Sequence, residues 1–176
     1  MTYDGAYSEG AGQIQNLDVK AHDAYRSAKA DLRAAIAVLQ GGQLTQAQWA
    51  HVNYYFKLDP QNTNIPAGVI GKLQATLDGI KANQLKVRVM FFNFAKPTDK
   101  KLITIAKAQI LNVNQAVRFF IHECTHIYAD TDDHSERGYG NNQGTYRQPG
   151  LTPEEAPNNA DTYAYLTVQL AGRALL

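Results

Sequence analysis

Val113-Asn-Gln-Ala-Val-Arg-Phe-Phe-Ile-His122-Glu123-Cys124-Thr125-His126-Ile-Tyr128 is the stretch from which the rest of the chain is read. It holds no Gly or Pro and is rich in helix-compatible residues, with Asn112 or Asn114 placed to cap it. It predicts a helix over 113–128. Inside it stands a His-Glu-x-x-His motif. At 3.6 residues per turn, His122 and His126 lie one turn apart on one face. Two imidazoles so placed can bind one Zn²⁺, and Glu123 can reach a water on the metal. The plain alternative is a helix that carries two hydrogen-bonded histidines.

Upstream of this helix the pattern is first helical and then extended. Residues 1–13 are rich in Gly, Ser and Tyr and read as an arm or loose end. A long helix is predicted over 17–40, with Asn16 as cap, Leu32, Ile36 and Leu39 on its apolar face and Gly41-Gly42 as its stop. A second runs from Thr45 to Leu58, with Trp49, Val52, Tyr55 and Phe56 inward and Asp59-Pro60 ending it. A third starts at Pro66 and runs to Ala82, with Val69, Ile70, Leu73 and Leu77 inward. The period then changes. Leu85 to Phe94 and Leu102 to Ile110 alternate as strands around a turn at Lys96-Pro97-Thr98-Asp99, and the pair is expected to be antiparallel.

Downstream, 130–157 is loop-like, rich in Asp, Gly, Asn and Pro, and a stretch of that length without its own structure is usually functional. Asn159 to Leu175 reads as a closing helix. The expectation is one α+β domain over 1–176. It has a helical part at about 16–82, strands at 85–110, the metal-site helix and loop at 113–157, and a final helix at 159–175.

Composition narrows the classes. A chain of 176 residues, 44% apolar and 19% charged, is an ordinary globular domain. A net charge of +1 gives no bulk field for nucleic acid or membrane. No basic helix with interleaved aromatics is present, so a nucleic-acid module is not expected. The sign changes along the chain. Lys81 to Arg118 carries eight basic residues against Asp99 alone, whereas His122 to Asp161 carries eight acids against Arg137 and Arg147. The acidic part holds the motif, which suits a cation; the basic part reads as a solvated face.

The single cysteine, Cys124, excludes an internal disulfide. Helix geometry turns it about 160° from His126, so it reads as a core thiol and not a ligand. No apolar run of 18 residues exists. The first twelve residues show no signal-peptide pattern. The chain is therefore expected to be cytosolic, or a mature piece without its leader, or exported by another route.

A catalytic zinc site needs a third protein ligand. The nearest donors are crowded into Asp130-Thr131-Asp132-Asp133-His134-Ser135-Glu136. Asp130 would stay on the helix face and close a tetrahedron poorly. Asp133 can swing back once the helix ends, and His134 is its chemical rival.

His122-Glu-x-x-His126, Asp130-Thr131-Asp132-Asp133, Tyr139-Gly140 and Asn159-Ala160-Asp161-x-Tyr163-Ala164-Tyr165 together resemble the deuterolysin-type metallo-endopeptidases. These aspzincins include peptidyl-Lys-specific enzymes. The resemblance covers residues 110–170. It implies a mainly helical, zincin-like domain with a small antiparallel sheet before the active-site helix, and one Zn²⁺ per chain. The family's Gly-Thr-x-Asp-x-x-Tyr-Gly motif places the third ligand on Asp133, with Thr131 beside it. Asp130 stands where the family has Gly, and five residues separate Asp133 from Tyr139 where the family has two. Aligning from Tyr139 instead would put Glu136 in the ligand slot.

The resemblance implies zinc on His122, His126 and Asp133, Glu123 as general base and Tyr139 as donor to the tetrahedral oxyanion. Asp161 matches the acid of the family's Asn-Ala-Asp helix. It could accept the other N–H of a zinc-bound imidazole, or help form an acidic pocket for a basic side chain. Its plain alternative is an Asp favoured at a helix N-terminus. Tyr163 and Tyr165 point to different faces, so at least one belongs to the core.

The function implied is zinc-dependent endopeptidase with a preference for Lys or another basic residue near the scissile bond, in a secreted or delivered monomer that acts on peptides or proteins. The Leu85–Phe94 strand, if at a sheet edge, would hold an extended peptide. Two other classes stay open: a secreted toxin or effector protease with one protein target, and a metal-binding zincin-fold protein without catalysis.

Overall fold

Helix α5 (Val113–Ala129) lies at the centre of the protein and packs against α1 (Leu17–Gly41), α3 (Val69–Lys81) and α6 (Ala160–Leu170). The structure is a computed structural model and describes residues 1–7, 17–82, 84–90, 102–140 and 150–175. Val117, Phe120, Ile121 and Cys124 of α5 are fully buried. They meet Tyr25 and Leu32 of α1, Leu73, Leu77 and Ile80 of α3, and Tyr163 and Leu166 of α6 in one apolar cluster. The thiol of Cys124 is part of this core, as its position on the helix demanded.

Small residues decide how closely the helices pack. On α1, Ala21, Ala24, Ala28 and Ala35 are buried between Tyr25, Leu32, Ile36 and Leu39 in a three-to-four spacing. On α3, a Cβ at Gly79 would lie 2.2 Å from the ring of Tyr128, so α3 and α5 approach through that glycine. Tyr25 meets Phe120 edge-on at 6.5 Å, and its hydroxyl donates to the carbonyl of Ile80 at 2.7 Å.

Helix boundaries follow local chemistry. Thr45 caps α2 (Gln46–Tyr55): its hydroxyl accepts from Gln48 N at 3.2 Å, while the Gln48 side chain accepts from Thr45 N at 2.8 Å. Val52, Tyr55 and Phe56 are buried, and Trp49 packs partly against the core. Lys57, at φ 55, ends this helix before Asp59-Pro60 is reached. Helix α3 begins at Val69 and not at Pro66, because Gly68 takes φ +84, a left-handed value that a right-handed helix cannot include. Helix α6 is shorter than expected, preceded by a 3₁₀ turn at Ala156–Asn158 and ended by Gly172 at φ +80. Helix α1 stops at Gly41-Gly42 as expected; Asn16 lies outside the described residues.

The extended part departs most from expectation. Three strands, β1 (Thr2–Tyr7), β2 (Lys86–Met90) and β3 (Leu102–Ala106), form a sheet in the order β1-β2-β3, and both pairings are parallel. The antiparallel expectation is therefore corrected. Alternation fixes which side chains share a face but carries no information on direction. The separation of β2 from β3 by residues 91–101 allows a return to the same end, which a tight hairpin would not. The turn expected at 96–99 lies outside the described residues.

The second strand also ends early. Lys107–Leu111 forms a short helix, α4, started by the Gln109 side chain accepting from Ala106 N at 3.2 Å. Ile103 and Ile105 point into the core in line with Val87. Thr2–Tyr7, read as an arm, is an edge strand on β2. Residues 86–90 are thereby bonded on both sides, and this part of the Leu85–Phe94 strand is no peptide-binding edge.

Candidate metal centre

Helix α5 delivers two histidines to one point. Asn112 is its cap: the side chain accepts from Asn114 N at 3.0 Å and Gln115 N at 3.1 Å. Four residues apart, His122 and His126 bring their Nε2 atoms to 3.1 Å. The helix stops three residues later, where Asp130 adopts φ 52 and donates its N–H to Thr125 O. Asp130 is thus the terminating residue and not a ligand. The chain then turns back over the helix end. Asp133 Oδ1 comes to 3.1 Å from His126 Nε2 and 3.2 Å from His122 Nε2.

The second nitrogen of each ring fixes what the first can do. His126 Nδ1 lies 2.7 Å from the carbonyl oxygen of Thr131, which only accepts, so Nδ1 carries the proton. His122 Nδ1 lies 2.8 Å from Oδ1 of Asp161 and donates to it. In the neutral rings, both Nε2 atoms therefore present lone pairs. Two imidazole lone pairs and a carboxylate oxygen within 3.2 Å of one another repel unless a cation sits among them. A metal at about 2.0–2.1 Å from each of its ligands needs ligand–ligand separations of about 3.3 Å in a tetrahedron. The observed separations, 3.1–3.2 Å, fit that requirement closely. His122, His126 and Asp133 could hold a metal ion, and among the described residues no other group of three such donors converges in this way.

Charge shifts report the same field. Burial favours neutral His122, but Asp161 and Asp133 beside it win and push it up to about 10. Burial would raise Asp133, yet its contacts to the two imidazoles hold it well below the usual carboxylate range. Asp161, 1% exposed, is also held low despite burial, by His122, Arg118 and the Gly140 N–H.

The segment after Asp133 shows how five residues fit where two would serve. His134 and Ser135 take φ 49 and 57, and Ser135–Gly138 then makes a 3₁₀ turn that returns Tyr139 to the site. Gly138 packs so tightly that a Cβ there would lie 1.7 Å from Asp133 O and 2.3 Å from Asn159 Oδ1. Tyr139 OH donates to Asp133 Oδ2 at 2.8 Å, and its ring stacks on His122 at 6.1 Å. Strand-like bonds sew this loop to the start of α6. Asp132 N donates to Asn158 O at 2.7 Å, Ala160 N to Asp132 O at 2.9 Å, and the Asn159 side chain to Gly138 O at 3.0 Å.

Each expected site residue can now be placed. His122, His126 and Asp133 converge; His134 is not part of that group, and its Nε2 is buried without a partner. The side chain of Glu136 lies outside the described residues. Glu123 sits at the edge of the group, 30% exposed, with Oε1 4.0 Å from His122 Nε2 and its carboxyl pushed up by burial. Asp161 is buried and both oxygens are engaged, Oδ1 by His122 and Arg118 and Oδ2 by Gly140 N at 2.8 Å. It therefore lines no open pocket for a basic side chain. Tyr163 and Tyr165 are both core residues, at 1% and 0% exposure.

Two participants were missed in the sequence. Arg118 precedes His122 by one turn on the same face, a spacing that could have flagged it. Thr131 acts through its carbonyl, for which a side-chain pattern gives no signal, and through a hydroxyl that donates to Thr125 Oγ1 at 2.9 Å. No helix among the described residues is long and apolar enough to cross a membrane. A scan of known protein families finds none that matches the chain, and a search of curated proteins finds no match either.

Proposed function

We propose that this chain is a zinc-dependent endopeptidase with a zincin-like fold, of the deuterolysin (aspzincin) type. The observation that supports it is the convergence of His122 Nε2, His126 Nε2 and Asp133 Oδ1 at tetrahedral spacing, with both rings turned by their Nδ1 partners. Two nitrogens and one oxygen, with a fourth position left for water or substrate, make the donor set of a catalytic zinc site. A bound zinc ion would supply a Lewis acid that activates water and polarises the scissile carbonyl.

The chain's own groups fill the remaining roles in this reading. Glu123, partly exposed beside His122, takes the proton of the attacking water and passes it to the leaving amine. A site that only stored metal would have no use for a carboxylate there. Tyr139, 37% exposed at the mouth, turns its hydroxyl from Asp133 Oδ2 toward the developing oxyanion. Asp161 and the Thr131 carbonyl hold the two imidazoles in their metal-binding tautomers. Among the described residues, Asp130 and Asp132, both exposed on the loop that carries Asp133, are acids that would attract a Lys or Arg near the scissile bond. The substrate in this reading is a protein met outside the producing cell.

The test is to incubate the zinc-loaded chain and its Glu123→Gln variant with a mixed peptide library and read every cut by mass spectrometry. Cuts that vanish in the variant establish the peptidase, and their flanking residues decide the basic preference. A chain that holds one zinc and cuts nothing sinks the peptidase reading.

A further inference from the structure

Behind His122 lies a partly buried cation that metal ligation alone does not require. Arg118 Nη1 and His122 Nδ1 donate to the same oxygen, Asp161 Oδ1, at 3.0 and 2.8 Å. The side chains of Arg118 and Asp161 are 15% and 2% exposed. The guanidinium lies 4.6 Å over the ring of Tyr165, which is itself stacked on Tyr55 at 5.8 Å. Asp161 could orient His122 without this arginine, since Gly140 N already fixes its other oxygen at 2.8 Å.

We propose that Arg118 is a positioning residue that sets the charge of the metal centre by neutralising Asp161. This rests on the metal reading above. Asp161 alone would add a further negative charge behind the site. The metal would then be held more tightly and would withdraw less charge from whatever it binds, making it a weaker Lewis acid. With Arg118 paired, the carboxylate orients the ring at no net charge, and Asp133 and Glu123 are left to offset the divalent ion. The sign survives competition from protons, because a divalent ion feels the loss of Arg118 twice as strongly as a proton on the same nitrogen.

The test measures Zn²⁺ affinity by competition with a chromogenic chelator, at one pH, alongside peptide cleavage by the loaded proteins. The full chain is compared with Arg118→Gln, Asp161→Asn and the double variant. Arg118→Gln keeps a donor for Asp161 but loses the charge; it is expected to bind zinc about threefold to tenfold more tightly and to turn over more slowly. Asp161→Asn leaves the guanidinium unopposed and is expected to bind at least about tenfold more weakly. The double variant has no buried charge at this position and should regain a large part of that loss.

A purely structural role for Arg118 would weaken affinity and turnover together, and that result overturns the proposal; so does unchanged affinity. If circular dichroism shows that Arg118→Gln does not fold, the double variant decides against Asp161→Asn, and no regain overturns the proposal. A parent chain that binds no zinc overturns the metal reading and this inference with it. A parent that binds zinc but cleaves nothing fails only as a peptidase, and the affinity comparison still decides the charge balance.

Discussion

Tyr139 OH and Asp133 Oδ2 are joined at 2.8 Å, while Oδ1 of the same carboxylate stands 3.1 Å from His126 Nε2. One carboxylate thus faces the metal position with one oxygen and ties down the mouth tyrosine with the other. Tyr139→Phe removes this hydroxyl and nothing else. The backbone bonds of Asp132 still hold Asp133, so zinc affinity should fall by no more than about tenfold, the low end for an outer-shell partner. Turnover should fall about 10²-fold if the hydroxyl serves the oxyanion. Chelator competition and steady-state kinetics on one preparation separate the two. A fall in affinity that matches the fall in turnover would show that Tyr139 only supports Asp133.

Metal removal should be felt as lost stability. Three acceptor atoms within 3.2 Å of one another are tolerable only with a cation or added protons among them. Zinc at about 1,000 times its Kd adds about 4 kcal/mol to the native state. For a chain of this length that is a rise in Tm of roughly 10 °C over the chelated protein. Calorimetry with and without chelator reads it directly. In Asp133→Asn the difference should shrink by at least half, because an amide oxygen is a much poorer partner for zinc.

What was legible in the sequence, and what was not, divides along range of interaction. The cap at Thr45, the stop at Gly41-Gly42 and the helix carrying His122 and His126 depend on residues within a turn or two of one another, so local chemistry reveals them. The direction of β3 beside β2 is a long-range choice, and the alternation in Leu102–Ala106 is the same either way. Lys107–Leu111 satisfied a two-residue period and a helical one together until Gln109 folded back on Ala106. Five residues separate Asp133 from Tyr139 where the resembled family has two. They close into a turn because Gly138 tolerates Asp133 O against it, a contact between backbone atoms that no side-chain motif records. Asp161 could be suspected behind an imidazole, and Arg118 lies one turn before His122 on the same face, but their pairing joins α5 to α6 and no local pattern records it.

The glycines of α3 give a paired prediction. Gly71 and Gly79 sit eight residues apart on one helix, but a Cβ meets nothing within 4 Å at Gly71 and lies 2.2 Å from the Tyr128 ring at Gly79. Gly71→Ala should stabilise by about 0.5–1 kcal/mol through helix propensity. Gly79→Ala gains the same propensity but must push α3 from α5, at a cost of about 1–3 kcal/mol. Urea denaturation of the two variants should move the midpoints in opposite directions. Equal shifts would mean that α3 and α5 are not so closely packed at Gly79.

Asp31 and Arg173 fasten α1 to the segment after α6, far along the chain from each other. Both nitrogens of the fork are used: Nε and Nη2 donate to the two carboxylate oxygens, while Nη1 reaches Asn114 Oδ1 at 3.3 Å. Burial raises Asp31 above its ordinary value, and Arg173 pulls it back only in part. A carboxyl raised in the folded state holds its proton more tightly there than when unfolded. Its contribution is therefore most favourable in acid and is lost as pH rises through the folded value. Arg173→Met removes the counter-charge and raises Asp31 further. Breaking a fully buried pair by removing one partner costs about 3–5 kcal/mol; this pair is only partly buried, so the variant should lose about 1–3 kcal/mol at pH 7. Its deficit should shrink between pH 7 and 4 as Asp31 takes up a proton, and Asp31→Asn in the same background should abolish the pH dependence. Urea titrations of parent, single and double variants at pH 7, 5.5 and 4 measure it. A deficit that is constant across this range would show that Asp31 stays ionised without Arg173, solvated by water that reaches the α1 face.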